Sequence, residues 1–206
     1  MSSVRSKSRR RRRPQQRRAR QTVEAVLDAV IRILKREGFD AITTNRIAEV
    51  AGVSIGSVYQ YFADKRSIFV ALHSRHISEI DRLVENKLLE HAASSPDQLV
   101  RAMVEAMVEA HAADPDLHEL LMSEVPHRAE WTRSFAVRLH GAFRLAIQSG
   151  WPRRKHGPDL DTIVFMVTKM VEALSHAAVL ERPQKVSLAD AKEETVRAVL
   201  AYLAAT

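Results

Sequence analysis

Apolar residues at Val23, Val26, Leu27, Val30, Ile33 and Leu34 follow the i, i+3, i+4, i+7 spacing that lines one face of an α-helix. Gly38 stops that pattern. Glycine can take the left-handed conformation there, and Phe39 is placed to fold back on Leu34 in a Schellman-type closure. The same periodicity predicts further helices over 43–51, 54–61, 65–93, 97–113, 116–124, 128–149, 159–181 and 187–204. Pro96, Pro115, Pro126, the run Gly150-Trp151-Pro152 and Pro183 punctuate them. Alternating β-branched runs bounded by turn residues are missing, and alanine and leucine dominate, so the expected fold class is all-α. No internal repeat of solenoid period is visible.

The stretch TTNRIAEVAGVSIGSVYQYFADK, residues 43–65, holds two helices too short to bury much alone. Thr43 is suited to cap the first, whose Ile47, Val50 and Ala51 form one apolar face. Gly52 permits a sharp left-handed turn, Val53 plugs the angle, and Ser54 caps a second short helix whose Val58 and Phe62 point inward. This is a helix-turn-helix, and it leaves the opposite face in solvent. Asp64 is positioned to cap the next helix, setting Lys65 near its start.

The outward face carries Ile55, Gly56, Ser57, Tyr59, Gln60 and Tyr61, few of them long or charged, so it can approach a partner closely. In a DNA major groove, Ile55 suits a thymine methyl, Ser57 and Gln60 suit base edges, and the tyrosine hydroxyls suit phosphates. Each residue also has an ordinary role open to it: the tyrosines as packing, Gly56 as turn chemistry, Ser54 as a cap. Their order together favours DNA reading.

Residues 22–72, and above all TTNRIAEVAGVSIGSVYQYFADKRSIF, resemble the N-terminal DNA-binding region of the TetR family of bacterial transcriptional regulators. The resemblance rests on the stripe of the first helix, the Ile47-Ala48 pair, Ala51-Gly52-Val53-Ser54, Tyr59, Tyr61-Phe62 and Lys65. It implies phosphate contacts by Thr44, Tyr59, Tyr61 and Lys65, and base reading by Asn45, Ile55, Gly56, Ser57 and Gln60. With the cap residue Ser54, these are the candidate DNA-binding residues. The resemblance also implies an inducer pocket and a dimer interface in the remaining helices.

Residues 97–113 are apolar nearly all round, as suits a helix enclosed by others. Met103, Met107, Met122, Trp131, Phe135 and Phe165 are candidates to line an adaptable ligand cavity, since thioethers and aromatics fit irregular apolar ligands, with Lys169 as an anion anchor. Ordinary core packing is the competing role for each. Ile163, Val167, Met170, Leu174 and Ala178 form an apolar stripe beside a second one of Phe165, Lys169, Glu172 and His176. Leu188, Val196, Val199, Leu200 and Leu203 give the last helix an apolar face, so the last two helices are expected to form half of a four-helix homodimer interface.

Charge changes the picture at one end. Residues 1–20 hold ten positive side chains and no acidic one, which leaves about −3 of the chain's +7 for residues 21–206. So charged a segment is expected to be a disordered basic arm when free. It reads either as a solubilising extension or as an arm that neutralises phosphates or enters a minor groove. The expected organisation is this arm at 1–20, a helix-turn-helix domain at 21–66 and a helical ligand-binding and dimerisation domain at 67–206. With 206 residues, no cysteine and no tract of eighteen apolar residues, neither disulfides, thiolate sites nor a membrane span are expected, and a reducing cytoplasm suits the chain.

Catalytic signatures are lacking: there is no HExxH, phosphate-cradling glycine loop or nucleophile elbow, so neither an enzyme nor a cofactor is expected. His73 and His76 lie three apart and His111 and His118 seven apart, neither pair with a third ligand clustered in sequence, so no metal site is expected. The resulting expectation is a ligand-responsive homodimeric repressor that binds a near-palindromic double-stranded DNA operator and is released by a small-molecule inducer. The alternative is an architectural or scaffold protein on DNA, without an inducer.

Overall fold

A computed structural model gives the backbone of residues 6–91, 93–125, 130–151 and 157–205, with side chains described from residue 16 onward in those ranges except 130–136. Among the described residues there are helices and turns and no strand. The chain divides into two compact units, residues 1–73 with 120–125, and residues 74–119 with 126–206.

The first unit contains α1 (Ser6–Glu37), a 3-10 turn (Phe39–Ala41), α2 (Thr44–Ala51), α3 (Ile55–Tyr61) and the start of α4 (Lys65–Glu90). Val26, Val30 and Ile33 of α1 are fully buried, and α1 packs against α2 and α3, so the stripe read from the sequence is the face the short helices lean on. Helices of seven or eight residues are marginal alone, and their stability comes from this packing. Ile68, Phe69 and Leu72 are buried and belong to this unit, which therefore reaches beyond the expected boundary at residue 66. α1 itself runs back to Ser6, where the sequence predicts a disordered arm. Arginine, lysine and glutamine are good helix formers, and adding turns to a helix already anchored by Val26 to Ile33 avoids the cost of nucleation.

The end of α1 departs from expectation in detail. Gly38 has φ 83° and ψ 178°, a region essentially reserved for glycine, but not the left-handed helical one. Its N–H donates to the Leu34 carbonyl at 3.1 Å. Phe39 stays 41% exposed, with the Lys65 ammonium 5.2 Å from its ring centroid, so the ring serves as a platform for that cation rather than as the buried half of a Schellman closure.

The second unit contains the rest of α4, α5 (Pro96–Ala112), the first part of α6 (Pro115–Glu124), α7 (Glu130–Gly150), α8 (Leu160–His176) continuing as a π-helical turn (Ala177–Glu181), and α9 (Leu188–Ala205). A capping box starts α5: Ser95 accepts from the Gln98 N–H while the Gln98 side chain accepts from the Ser95 N–H, with Pro96 at the position where no N–H is needed. α5 packs against α7, α8 and α9 and is buried on nearly every side, as its all-round apolar sequence predicts. Arg101 grips Glu193 with its two terminal guanidinium nitrogens, at 2.6 and 3.0 Å, and Lys192 meets Glu109 at 2.8 Å, so α9 is held on α5 in one register.

One segment and one further expectation need a physical account. Leu160–Glu181 is long and apolar enough to cross a membrane, by length and composition only. Ile163, Val164, Val167 and Val171 of that segment lie in the core of the second unit, which accounts for its hydropathy. Val196, Val199 and Leu203, expected to face a partner subunit, are buried in the same core, and Leu200 packs against it. An apolar stripe says that a face is covered, not by what.

Candidate nucleic-acid interface

The geometry of α3 is set from both ends. Thr43 accepts from the Arg46 N–H at 3.2 Å and starts α2. Gly52, at φ 69° and ψ 32°, ends it in the left-handed conformation, its N–H pointing at the Ala48 and Glu49 carbonyls. Val53 donates back to Ala48 at 3.0 Å, closing the turn. Ser54 then caps α3, accepting from the Ser57 N–H at 3.0 Å. Val58 is fully buried and Phe62 is 6% exposed, so these two anchor the helix inward. Anchors of that size contribute about 1.5–3 kcal/mol each, enough to hold a seven-residue helix in place.

With Val58 turned in, the opposite face is open. Tyr59 is 54% exposed and Tyr61 and Ile55 more than a third exposed, while Asn45, Ser54, Gly56 and Gln60 lie at the surface and Thr44, Ser57 and Lys65 are half-buried. The Thr44 and Tyr59 hydroxyls stand 3.3 Å apart, joining the start of α2 to α3. Ser57 Oγ lies 2.8 Å from Ser54 Oγ, so one of its hydrogen-bonding directions is used within the helix start. A β-carbon placed on Gly56 meets only Ser54 Oγ, at 3.8 Å. The fold therefore does not need glycine there. Asp64 and Ser67 cap α4 reciprocally: Asp64 accepts from the Ser67 N–H at 2.6 Å and Ser67 Oγ from the Asp64 N–H at 3.2 Å.

Supporting residues had no clear signal in the sequence. Arg46 pairs with Glu37 through two nitrogens, at 2.9 and 2.7 Å, and with Glu49 at 2.7 Å, fastening α2 to the end of α1. The hydrogen bond from Arg46 holds the Glu37 carboxyl below its ordinary range. Arg32 donates to the Val50 carbonyl at 3.0 Å, covering an orphan acceptor at the end of α2. Only the spacing of Arg46 and Glu49, three apart on one helix, was there to be read.

The described ligand-pocket candidates fall in both units. Met103 and Met107 lie together in the core of the second unit, and Met122 is half-buried in the first. Phe165 is 54% exposed, and Lys169 is exposed and paired with Glu172 at 2.6 Å. Trp131 and Phe135 have side chains outside the described residues. A further finding runs against expectation: His176, 65 positions after His111, comes beside both His111 and His118, supplying the third imidazole that the sequence pairs lacked.

Two family models match the chain: bacterial regulatory proteins of the tetR family over residues 26–72, and the tetracyclin repressor-like C-terminal domain over residues 95–203. The HTH-type transcriptional regulator AcrR of Shigella flexneri is 27% identical over 135 residues, covering 64% of this chain and 60% of that protein. The HTH-type transcriptional repressor KstR of Mycolicibacterium smegmatis is 29% identical over 102 residues, covering 50% and 49%. The aligned part thus spans about half to three-fifths of these relatives. The transcriptional regulator FadR from Bacillus subtilis, solved in complex with stearoyl-CoA, shares the fold with a TM-score of 0.66 at 19% identity over 87% of this chain and 98% of that one. With α3 capped, anchored and open to solvent within the first matched segment, and the second segment covering more than half of the chain, the protein belongs to the TetR family of bacterial transcriptional regulators.

Proposed function

We propose that the protein is a homodimeric transcriptional repressor that reads a near-palindromic operator with α3 and lets it go when a small molecule binds the helical second unit. The observation that carries this reading is the open face of α3, where Ile55, Gly56, Tyr59, Gln60 and Tyr61 stand outward while Val58 and Phe62 hold the helix from behind. Base reading falls to Asn45, Ile55, Gly56, Ser57 and Gln60; phosphate contacts fall to Thr44, Tyr59, Tyr61 and Lys65, with Ser54 fixing the start of the helix. Two such helices in a dimer suit half-sites about one helical turn apart, roughly 34–36 Å.

Dimerisation through α8 and α9 is supported by what those helices leave outside the protomer core: Phe165 and Met166 on α8, Ala198 and Ala201 on α9. The stearoyl-CoA complex of the FadR neighbour and the buried methionines Met103 and Met107 support an apolar inducer. Induction requires that this molecule prefer the DNA-incompetent arrangement, since equal affinity for both arrangements shifts nothing. The reading places the protein in the cytoplasm with its operator and gives it no catalytic step.

Selection of bound sequences from random DNA, followed by anisotropy titration, tests the proposal. A preference of roughly a thousandfold or more over random DNA is expected. A flat preference carried by the basic residues before Gln21 overturns it in favour of the DNA-bound scaffold.

A further inference from the structure

Four histidines from four helices converge inside the second unit: His76 on α4, His111 on α5, His118 on α6 and His176 on α8. His76, His111 and His118 are each at least nine-tenths buried, and His176 is half-buried. Ring centroids lie 4.3 Å apart for His111 and His118, 4.7 Å for His111 and His176, and 4.8 Å for His118 and His176, with His76 5.7 Å from His118. We propose that His111, His118 and His176 form a binding site for a divalent transition-metal ion of the zinc class, with the His76 ring beside His118.

The nitrogens are near coordination distance. One ligand atom from each of the three rings falls within 4.8 Å of the others, and His111 Nε2 is 3.1 Å from His176 Nε2. Around a tetrahedral ion with bonds of about 2.0–2.1 Å, ligand nitrogens stand roughly 3.3 Å apart, so one pair is already set and the third nitrogen has to close in from within 4.8 Å. His111 shows the outer support such ligands use: its Nδ1–H points at the Met107 carbonyl, which leaves the Nε2 lone pair directed toward His176.

Burial agrees with this assignment, since three of the four rings are withdrawn from solvent. His76 Nε2 is buried without a hydrogen-bond partner among the described residues, an unfavourable state for a ring nitrogen that a metal bond or its bound water would relieve. Imidazole-only sites of this kind suit zinc, cobalt, nickel or copper rather than magnesium or calcium.

The test uses the full-length chain, free of any affinity tag and stripped with a chelator, titrated with Zn(II) and with Co(II) as a spectroscopic stand-in. One ion per chain is expected, with a Co(II) absorption band of tetrahedral intensity, a Tm raised by Zn(II), and no response to Mg(II). His118→Gln and His176→Gln should each lower the affinity at least about a hundredfold, while His140→Gln, outside the cluster, leaves it unchanged. Should a variant fail to fold by circular dichroism, the imidazole 15N resonances of the wild-type chain decide, because Zn(II) must move three or four of them together. Absence of stoichiometric binding at tens of micromolar metal, imidazole signals that stay in place, or folded variants that bind as the parent does would overturn the site.

Discussion

The hydroxyl of Thr44, at the first residue of α2, lies 3.3 Å from the hydroxyl of Tyr59 on α3, a pairing of residues fifteen positions apart. Two donors so placed can share one phosphate oxygen between them. Tyr59→Phe should therefore weaken operator binding about tenfold or somewhat more, the scale of a lost hydrogen bond to a charged group, with little change in Tm. The loss should be similar across operator variants, since phosphate contacts position without specifying sequence. Thr44→Ala combined with Tyr59→Phe should cost less than the two single losses added together. Anisotropy with the selected operator measures all three, and unchanged affinity would remove the pair from the interface.

Gly56 offers a sharper separation of folding from binding. The free protein has room for a methyl group there, and alanine is the better helix former, so Gly56→Ala should leave stability equal or raise it by about 0.5–1 kcal/mol. If close approach to base pairs is why the face is bare, operator affinity falls in the same variant. A rise in Tm with a drop in affinity is the expected combination, read by calorimetry and anisotropy on one preparation.

Gly150 should behave in the opposite way. A β-carbon on it would clash with Cβ and Cγ of Pro96, where the end of α7 meets the start of α5. A proline ring has little freedom to withdraw. Gly150→Ala should thus force the helix ends apart and destabilise the second unit by about 1–3 kcal/mol, the usual range for overpacking, visible as a lower denaturation midpoint.

Phe165 tests the dimer. At 54% exposed on α8, with Met166 beside it at 39%, it is not needed by the protomer core. Phe165→Glu should leave the helical circular dichroism intact, shift the protein toward monomer in light scattering, and weaken operator binding because two half-sites are no longer held together. Loss on the scale of an interface hot spot, about 2 kcal/mol or more per dimer, is expected.

Much of the fold was legible because its causes are local. The spacing of Val26, Leu27, Val30 and Ile33 produces a buried stripe in any helix, and Gly52 is where the chain can turn through φ 69°. Ser54 and Asp64 cap α3 and α4 by hydrogen bonds to residues three positions away. Val58 turned inward and Tyr59 outward obey the same arithmetic. Partners were not legible to the same degree. Val199 and Leu203 read as apolar whether a neighbouring helix or a second subunit covers them, and here α9 buries them in its own core. Phe39 read as a closure for Leu34, yet its exposed ring lies beneath Lys65, from a helix that starts much later in the chain.

The sequence by itself determined the helices, the caps, the turn at Gly52 and the face of α3 that stays open, because each depends on residues within about one or two helical turns of one another. Only the tertiary structure decided which helix covers which stripe, that Arg46 fastens α2 to Glu37, and that His176 joins His111 and His118. Those outcomes depend on where distant helices pack, and side-chain contacts across 65 positions leave no periodic trace along the chain.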